Sequence, residues 1–328
     1  MPAPVLSVVS PVYMAEAIIP ELVRRIRDAV QPLTANFEVI LVEDGSPDRS
    51  WDAIVRECER DSRVKGVRLS RNFGQHAAIT AALAHATGDH VVVMDCDLQD
   101  DPADIPKLYA KELEGFDVVF ARKRTREFSP LKNVTARLYY RLLRWLSDIH
   151  YDPNIGAFSI ISRKVVDAFL RFGDYRRGYV IVLDWLGFSR AYVEVDHHER
   201  FAGTTTYSWR KLFVHALSIT LTYSEKPLHI AIYAGVGSST VAILLALVFI
   251  VRYFTTNVGQ TALGWTSLIV SLFFLCGLIL ISLGVLGLYV GRIFEQVKSR
   301  PIFIVGESRN MTPGRDSRHE PTGAFASL

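Results

Sequence analysis

Asp95 and Asp97 stand near the end of the run Val91-Val92-Val93-Met94-Asp95-Cys96-Asp97-Leu98-Gln99-Asp100-Asp101-Pro102, in which four apolar residues give way abruptly to acid. An apolar tetrad preceded by Gly88-Asp89 reads as a short buried strand whose C-terminal end opens onto a polar site. In open α/β sheets that end is where ligands bind. Two carboxylates spaced by two residues face the same side for as long as strand geometry persists, and they repel unless a cation lies between them. Hard oxygen donors of this kind suit Mg²⁺ or Mn²⁺, above all where a diphosphate supplies further oxygens. The alternative is a solvated acidic turn that starts the next helix, with Asp101 as N-cap and Pro102 at N1. That reading accounts for Asp100 and Asp101 but not for Asp95, which ends an apolar strand.

The elements that must position these acids follow from hydrophobic period. Val5–Ser10 reads as a first strand, and Leu22, Val23, Ile26 and Val30 mark a helix from Pro20 to Val30. Phe37–Val42 is a second strand running into Glu43-Asp44-Gly45-Ser46, and a helix from Ser50 to Glu59 follows it. Val64–Leu69 is a third strand, ending in Ser70-Arg71-Asn72-Phe73-Gly74 ahead of an Ala-rich helix from Gln75 to Ala86. Behind the acidic strand come a helix from Pro102 to Glu114 and a fifth strand, Asp117–Ala121. Strands alternating with helices across short loops predict an α/β fold with a doubly wound, mostly parallel sheet. Its ligand-side loops carry Tyr13, Asp44, Arg71 and Asp95. Further on, Phe158–Ile161 and Ala191–Val195 read as strands, the second at an edge, and helices are expected over Lys164–Phe172 and Gly178–Trp185. The tail after Glu307 reads as disordered.

The 328 residues are 49% hydrophobic with a mean hydropathy of +0.19. No charged residue occurs from Ile230 to Val251 or from Leu263 to Val290, and each run exceeds the roughly 20 residues that cross a bilayer as a helix. Arg210, Lys211 and Lys226 precede the first run and Arg292, Lys298 and Arg300 follow the second, whereas the connection holds only Arg252. The basic bias places both ends in the cytosol. No signal-peptide core precedes the first strand, and Tyr207–Tyr223 mixes bulky apolar with basic residues as a surface-lying helix would. Cys58, Cys96 and Cys276 form no disulfide or zinc pattern, in keeping with a reducing compartment. A net charge of +3 offers nothing to nucleic acid.

Together, Ser10-Pro11-Val12-Tyr13, Glu43-Asp44-Gly45-Ser46, Ser70-Arg71-Asn72-Phe73-Gly74, Asp95-Cys96-Asp97-Leu98-Gln99-Asp100 and the two terminal spans resemble the polyprenyl-phosphate glycosyltransferases of glycosyltransferase family 2. The resemblance runs from Val5 to about Val305. It implies a GT-A fold, a nucleotide-diphosphate sugar donor (a UDP- or GDP-sugar), a Mg²⁺ or Mn²⁺ ion, and single-sugar transfer with inversion to undecaprenyl phosphate at the cytosolic face of the inner membrane. On the family pattern Pro11, Tyr13, Glu16, Asp44, Arg71 and Asp95 hold the nucleotide sugar, and Asp97 and Gln99 hold the metal. Arg200-Phe201-Ala202-Gly203-Thr204-Thr205-Thr206-Tyr207 resembles the segment that closes over the donor and acceptor phosphates. Arg200 and Thr205 then face phosphate, with Arg200 beside Asp97 as a catalytic group, and the cluster from Arg122, Lys123 and Arg124 onward is a second acceptor-phosphate candidate or else a solvated basic loop.

The chain departs from that pattern at three places. Met14 follows Tyr13 where Asn is usual, Thr206 replaces a Lys, and Gly156-Ala157-Phe158-Ser159 carries Ala157 where many relatives have an Asp proposed as base. Either Asp152 substitutes or no side-chain base is needed, because a phosphate monoester with a second pKa near 6 arrives largely ionised. The implied organisation is a catalytic domain over 1–205, a juxtamembrane helix region over 206–228, two transmembrane helices over 229–291 and a cytosolic tail over 292–328. Membrane lipids and a homo-oligomer complete the expected partners, and the stripe Gly284, Gly287 and Gly291 reads as a close helix-packing face, either within the protomer or between protomers. A different lipid or polysaccharide acceptor is the alternative within the class, and a nucleotide-binding scaffold without activity is the alternative outside it.

Overall fold

The computed structural model describes residues 5–124, 152, 154–175, 177–196, 226–255 and 264–311. These divide into two units. The first comprises the described residues up to 196 together with 299–311, and the second those from 226 to 298.

The first unit is a mixed eight-stranded sheet between two layers of helices. Its strands are β1 (Leu6–Val12), β2 (Phe37–Glu43), β3 (Val64–Leu69), β4 (His90–Val93), β5 (Val118–Lys123), β6 (Ile155–Ser162), β7 (Arg190–Val195) and β8 (Val305–Arg309), in the order β7-β5-β6-β4-β1-β2-β3-β8. Helices α1 (Ile19–Val30), α2 (Ser50–Arg60), α3 (Gln75–His85), α4 (Ile105–Glu112), α5 (Arg163–Arg171) and α6 (Tyr179–Leu186) cover it. β1 and β2 are buried along their whole length, as strands covered on both faces must be.

Alternation along each strand sends its residues to opposite layers. Val8, Val39, Leu41 and Val92 join a core with α1, α2 and α4, whereas Val9, Ile40, Val42 and Val91 join one with α3, α5 and α6. α1 presents Leu22, Val23, Ile26 and Val30 inward and ties Glu21, Arg24 and Asp28 together on its outer face. α3 instead buries every residue from Ala77 to Leu83, which the run of small alanines permits.

The mostly parallel sheet is as expected, with two features the sequence did not announce. β1, β2, β3 and β4 pair in parallel, but β6 runs antiparallel to both β4 and β5. β8, antiparallel to β3 at the sheet edge, runs from Val305 to Arg309 and so carries ordered structure two residues into the tail expected to be disordered after Glu307. Because β1 sits between β2 and β4, the chain winds to one side through β3 and returns to the other at β4. The crevice above that reversal is the ligand position of such sheets.

The second unit contains α7 (Lys226–Thr255) and α8 (Gly264–Val297), which contact each other. Leu228–Leu245 and Ser271–Val297 are long and apolar enough to cross a membrane, with mean hydropathies of 1.7 and 2.5 and no burial inside the protein. Phe273, Phe274, Leu280 and Ile281 are among the side chains they expose. A Cβ added at Gly284, Gly287 or Gly291 meets nothing within 4 Å, so the glycine stripe does not serve close packing within the described chain.

Candidate active site

Above the C-terminal ends of β1, β2 and β4 lies a cleft of about 460 Å³, lined in part by Pro11, Tyr13, Asp44, Gln75, Asp95 and Asp97. Four residues that the sequence assigns to the nucleotide sugar (Pro11, Tyr13, Asp44 and Asp95) are thus brought together with Asp97, which it assigns to the metal. Met14, Asn72, Gly74 and Cys96 also line the cleft.

The wall at the end of β2 is held from within. Asp44 is buried, and its two carboxylate oxygens accept from the backbone N–H groups of Phe73 (2.7 Å) and Gly74 (2.8 Å). Gly45 adopts φ +61°, and a Cβ there would lie 2.3 Å from the Asn72 nitrogen, so this contact between two loops requires glycine. Ser46 Oγ accepts from Met14 N at 3.0 Å and fixes the loop after β1. Met14 sits at φ 52°, a left-handed conformation that Asn tolerates and Met does not favour. The substitution that departs from the family pattern therefore stores strain at the cleft rim.

The wall at the end of β4 is different. Strand pairing stops at Val93, and Leu98 turns the chain at φ 56° while its side chain stays buried. Asp97 Oδ1 accepts from Gln99 N at 3.2 Å across this turn, and Asp101 caps the following helical turn through Ala103 N, as the sequence predicts. Asp100 departs from the expected solvated helix start: it is buried, with Lys123 Nζ 3.4 Å from Oδ1. Burial first, and then the charges of Asp100 and Asp97, push the Asp95 carboxyl up to about 6. Gln75 at the start of α3 opposes this by donating to Asp95 Oδ1 at 2.7 Å. Burial together with Asp95 and Asp97 likewise pushes the Cys96 thiol up to about 12, which keeps it neutral.

Glu16, Arg71 and Gln99 are not among the cleft-lining residues. Glu16 accepts from Arg49 N at 3.3 Å, opposite Asp48, whose carboxylate caps α2 through Ser50. Arg71 stacks over the Phe73 ring at 4.1 Å. Each of the three basic candidates at the end of β5 faces acid: Arg122 meets Asp152 at 3.0 Å, Lys123 meets Asp100, and Arg124 meets Glu194 at 3.4 Å and Asp196 at 3.5 Å. Asp152 also accepts from Asn154 N at 3.0 Å. The β4–β6 pairing ends at Val93↔Ser159, two residues short of both Asp95 and Ala157. Arg200, Thr205, the basic run beyond Arg124 and the surface helix expected over Tyr207–Tyr223 lie outside the described residues.

Gln75 was not singled out by its sequence. Its only signal was position, directly after the Ser-Arg-Asn-Phe-Gly run and at the first turn of a helix pointing at the acidic strand end. Among the described residues no three His, Cys, Asp or Glu side chains form a metal cage. A Mg²⁺ or Mn²⁺ ion that shares its shell with substrate phosphates needs only one or two carboxylates. Asp95 and Asp97, two carboxylates lining one cleft, are a donor set of that kind.

The α/β sheet with an acid-lined cleft at its topological switch point is a fold of the GT-A type. Residues 7–170 match the family model described as glycosyl transferase family 2, and the chain belongs to that family and is a glycosyltransferase. It is 38% identical over 303 residues to the uncharacterized glycosyltransferase YkcC of Bacillus subtilis, covering 92% of this chain and 93% of that one. It is 33% identical over 309 residues to the bactoprenol glucosyl transferase of Shigella phage SfII, covering 94% and 99%. A prophage bactoprenol glucosyl transferase homolog of Escherichia coli is 34% identical, covering 92% and 98%. Among solved structures, glucosyl-3-phosphoglycerate synthase from Mycobacterium tuberculosis, crystallised with Mn²⁺, UDP and glucosyl-3-phosphoglycerate, aligns with a TM-score of 0.45 and 22% identity, covering 67% of this chain and 78% of that one.

Proposed function

We propose that the protein transfers one sugar, with inversion, from a UDP- or GDP-sugar to undecaprenyl phosphate at the cytosolic face of a bacterial inner membrane. The observation that carries this reading is the pair of carboxylates, Asp95 and Asp97, lining a cleft at the sheet's switch point in a chain that continues into two exposed apolar helices. Relatives named for glucosyl transfer to bactoprenol support the acceptor class. The pairing of β8 with β3 supports a hairpin topology, since residues before α7 and after α8 share one sheet and belong on one side of the bilayer.

Asp97, with Gln99 and Asp95 beside it, would hold Mg²⁺ or Mn²⁺. The cation would stabilise the charge that develops on the leaving nucleotide diphosphate. Tyr13, Pro11 and Asp44 line the nucleoside end of the cleft. Asp44 spends its oxygens on Phe73 N and Gly74 N and thereby fixes the wall that Asn72, Gly74 and Gln75 present to the donor. No base is needed at position 157. The acceptor phosphate is already ionised near neutral pH, and Asp152, the other candidate base, is engaged by Arg122. Orientation of that anion and screening of its charge carry the acceptor side of the reaction, with Arg200, Thr205 and the Arg122–Arg124 cations as the groups to test.

The experiment is transfer of radiolabelled sugar from UDP-glucose, UDP-N-acetylglucosamine and GDP-mannose to undecaprenyl phosphate. Wild type, Asp97→Asn and Ala157→Asp are compared. Activity in the wild type that falls by about 10²–10³-fold in Asp97→Asn supports the metal-assisted, base-free reading. An inactive wild type rescued by Ala157→Asp would identify a scaffold that has lost catalysis. Transfer to diacylglycerol or polysaccharide instead would move the acceptor.

A further inference from the structure

The strand that follows the second apolar helix grips the loop forming one wall of the cleft. β8 pairs with β3 from Gly66↔Arg309 to Leu69↔Val305, with a register shift between Arg68 and Leu69 that leaves Gly306 as the extra residue. Both ends of the strand are tied to β3. At one, Asn310 Nδ2 donates to Cys58 O (2.7 Å) and Val64 O (2.8 Å). At the other, Ile304 O accepts from Ser70 N at 2.9 Å. Glu307 Oε2 accepts from Trp51 Nε1 at 3.1 Å on one face of the sheet, and Phe303 and Val305 pack into the α3 core on the other.

Ser70 is where this grip meets the cleft. A Cβ added to Gly306 would lie 3.4 Å from Ser70 Cα and 3.6 Å from its nitrogen. Three to five residues after Ser70, Phe73 N and Gly74 N bind Asp44, and Gln75 binds Asp95. The segment 70–75 is therefore fixed at three points: the carbonyl of Ile304, the carboxylate of Asp44 and the carboxylate of Asp95. The last two are cleft walls, and the first belongs to the chain returning from α8.

We infer that β8 is a positioning element of the donor site: through Ile304 O and the Gly306 bulge it sets Ser70, and through Ser70 the 71–75 wall that holds Asp44 and Asp95 for the nucleotide sugar. The inference rests on the donor reading of the cleft given above. Coupling of this kind is reciprocal, so nucleotide in the cleft tightens β8 as β8 tightens the cleft.

The test uses the full chain in lipid nanodiscs with UDP-glucose and Mn²⁺. Gly306→Val sets a branched side chain against Ser70, and Gly306→Ala, whose Cβ makes an ordinary contact, is the conservative control. The expected result is a donor KM raised at least about fivefold by Gly306→Val, the low end of ordinary coupling between sites. The acceptor KM and kcat stay within about twofold of wild type, and Gly306→Ala restores the donor KM. Hydrogen exchange supplies the second readout: UDP slows exchange of the Ser70 and 305–309 amides in wild type, and this protection is lost in Gly306→Val. If Gly306→Val fails to fold, Asn310→Ala, which frees the far end of the strand, is read in the same way and must raise the donor KM. An unchanged donor KM and no UDP-dependent protection, in variants of an active enzyme, would make β8 a staple of stability alone and overturn the inference. A wild type that binds neither UDP-glucose nor GDP-mannose would overturn the donor reading and the inference with it.

Discussion

Two strands of one sheet end in acid, and the two ends do opposite things. At the end of β2, Asp44 is buried and meets two backbone N–H groups, so its charge is stabilised by the protein itself. At the end of β4, Asp95 faces Asp97 and Asp100 with Gln75 as its hydrogen-bond donor, and its carboxyl is driven up to about 6. The first end is held by backbone donors, and the second is the one we propose a cation-bound nucleotide sugar occupies. Similar sequence signals thus divide into an acid satisfied by backbone N–H groups and an acid crowded by other carboxylates.

This contrast predicts opposite stability effects for removing the two acids. Asp44→Ala leaves the N–H groups of Phe73 and Gly74 without their acceptor and is expected to destabilise the fold by about 2–4 kcal/mol, on the scale of two unsatisfied buried donors. Urea unfolding measures it, and a loss below about 0.5 kcal/mol would break the contrast. Asp95→Asn should do the reverse. It removes a charge that its neighbours oppose while keeping an oxygen for Gln75, so the ligand-free protein is expected to gain about 1–2 kcal/mol as transfer activity falls. A variant that is both less stable and inactive would show that Asp95 is structural like Asp44.

Away from the cleft, the pH dependence of folding should carry the mark of a completed pair. Glu112 hydrogen-bonds His90 at the far end of β4 and raises the imidazole above its ordinary 6.5. The stability from this pair is full below about pH 6.5 and is lost as pH rises through the elevated native value. His90→Gln should flatten that slope by on the order of 1 kcal/mol between pH 5.5 and 8.5 in thermal melts. The smallest effect is expected at the rim. Met14→Gly relieves the left-handed backbone at φ 52° and should raise stability by up to about 1 kcal/mol. A Met14→Gly protein that is destabilised would mean that the Met side chain contributes packing that outweighs the strain.

Much of this architecture was legible in the residues. The runs Val5–Ser10, Phe37–Val42 and Val91–Val93 are mostly apolar because helices cover both faces of the sheet, with Glu38 and Ser10 among the buried polar exceptions, and α1 declares its inner face through Leu22, Ile26 and Val30. Acid at the ends of β2 and β4 and the Pro11–Tyr13 loop mark the cleft in the sequence. The rest was hidden for physical reasons. Strand direction leaves no trace in composition, so the antiparallel run of β6 could not be read from Phe158–Ile161. Val-Gly-Glu-Ser-Arg has one apolar residue and becomes a strand only because β3, more than 230 residues earlier in the chain, offers an open edge. Asp100 looked like a helix start because Lys123, its compensating charge, comes from a different strand. Gln75 is a common helix former, and nothing in its neighbours announces the hydrogen bond to Asp95.

The central claim is that Asp97 belongs to the wall that is completed by a cation-bound nucleotide diphosphate. Calorimetric titration of UDP and GDP into wild type and Asp97→Asn, each with Mn²⁺ and with chelator, tests it most directly. One of the two nucleotides is expected to bind the wild type at least about tenfold more tightly with Mn²⁺ than without, and Asp97→Asn to abolish this gain while remaining folded. Equal affinity with and without the metal, or a metal gain that survives Asp97→Asn, would contradict it.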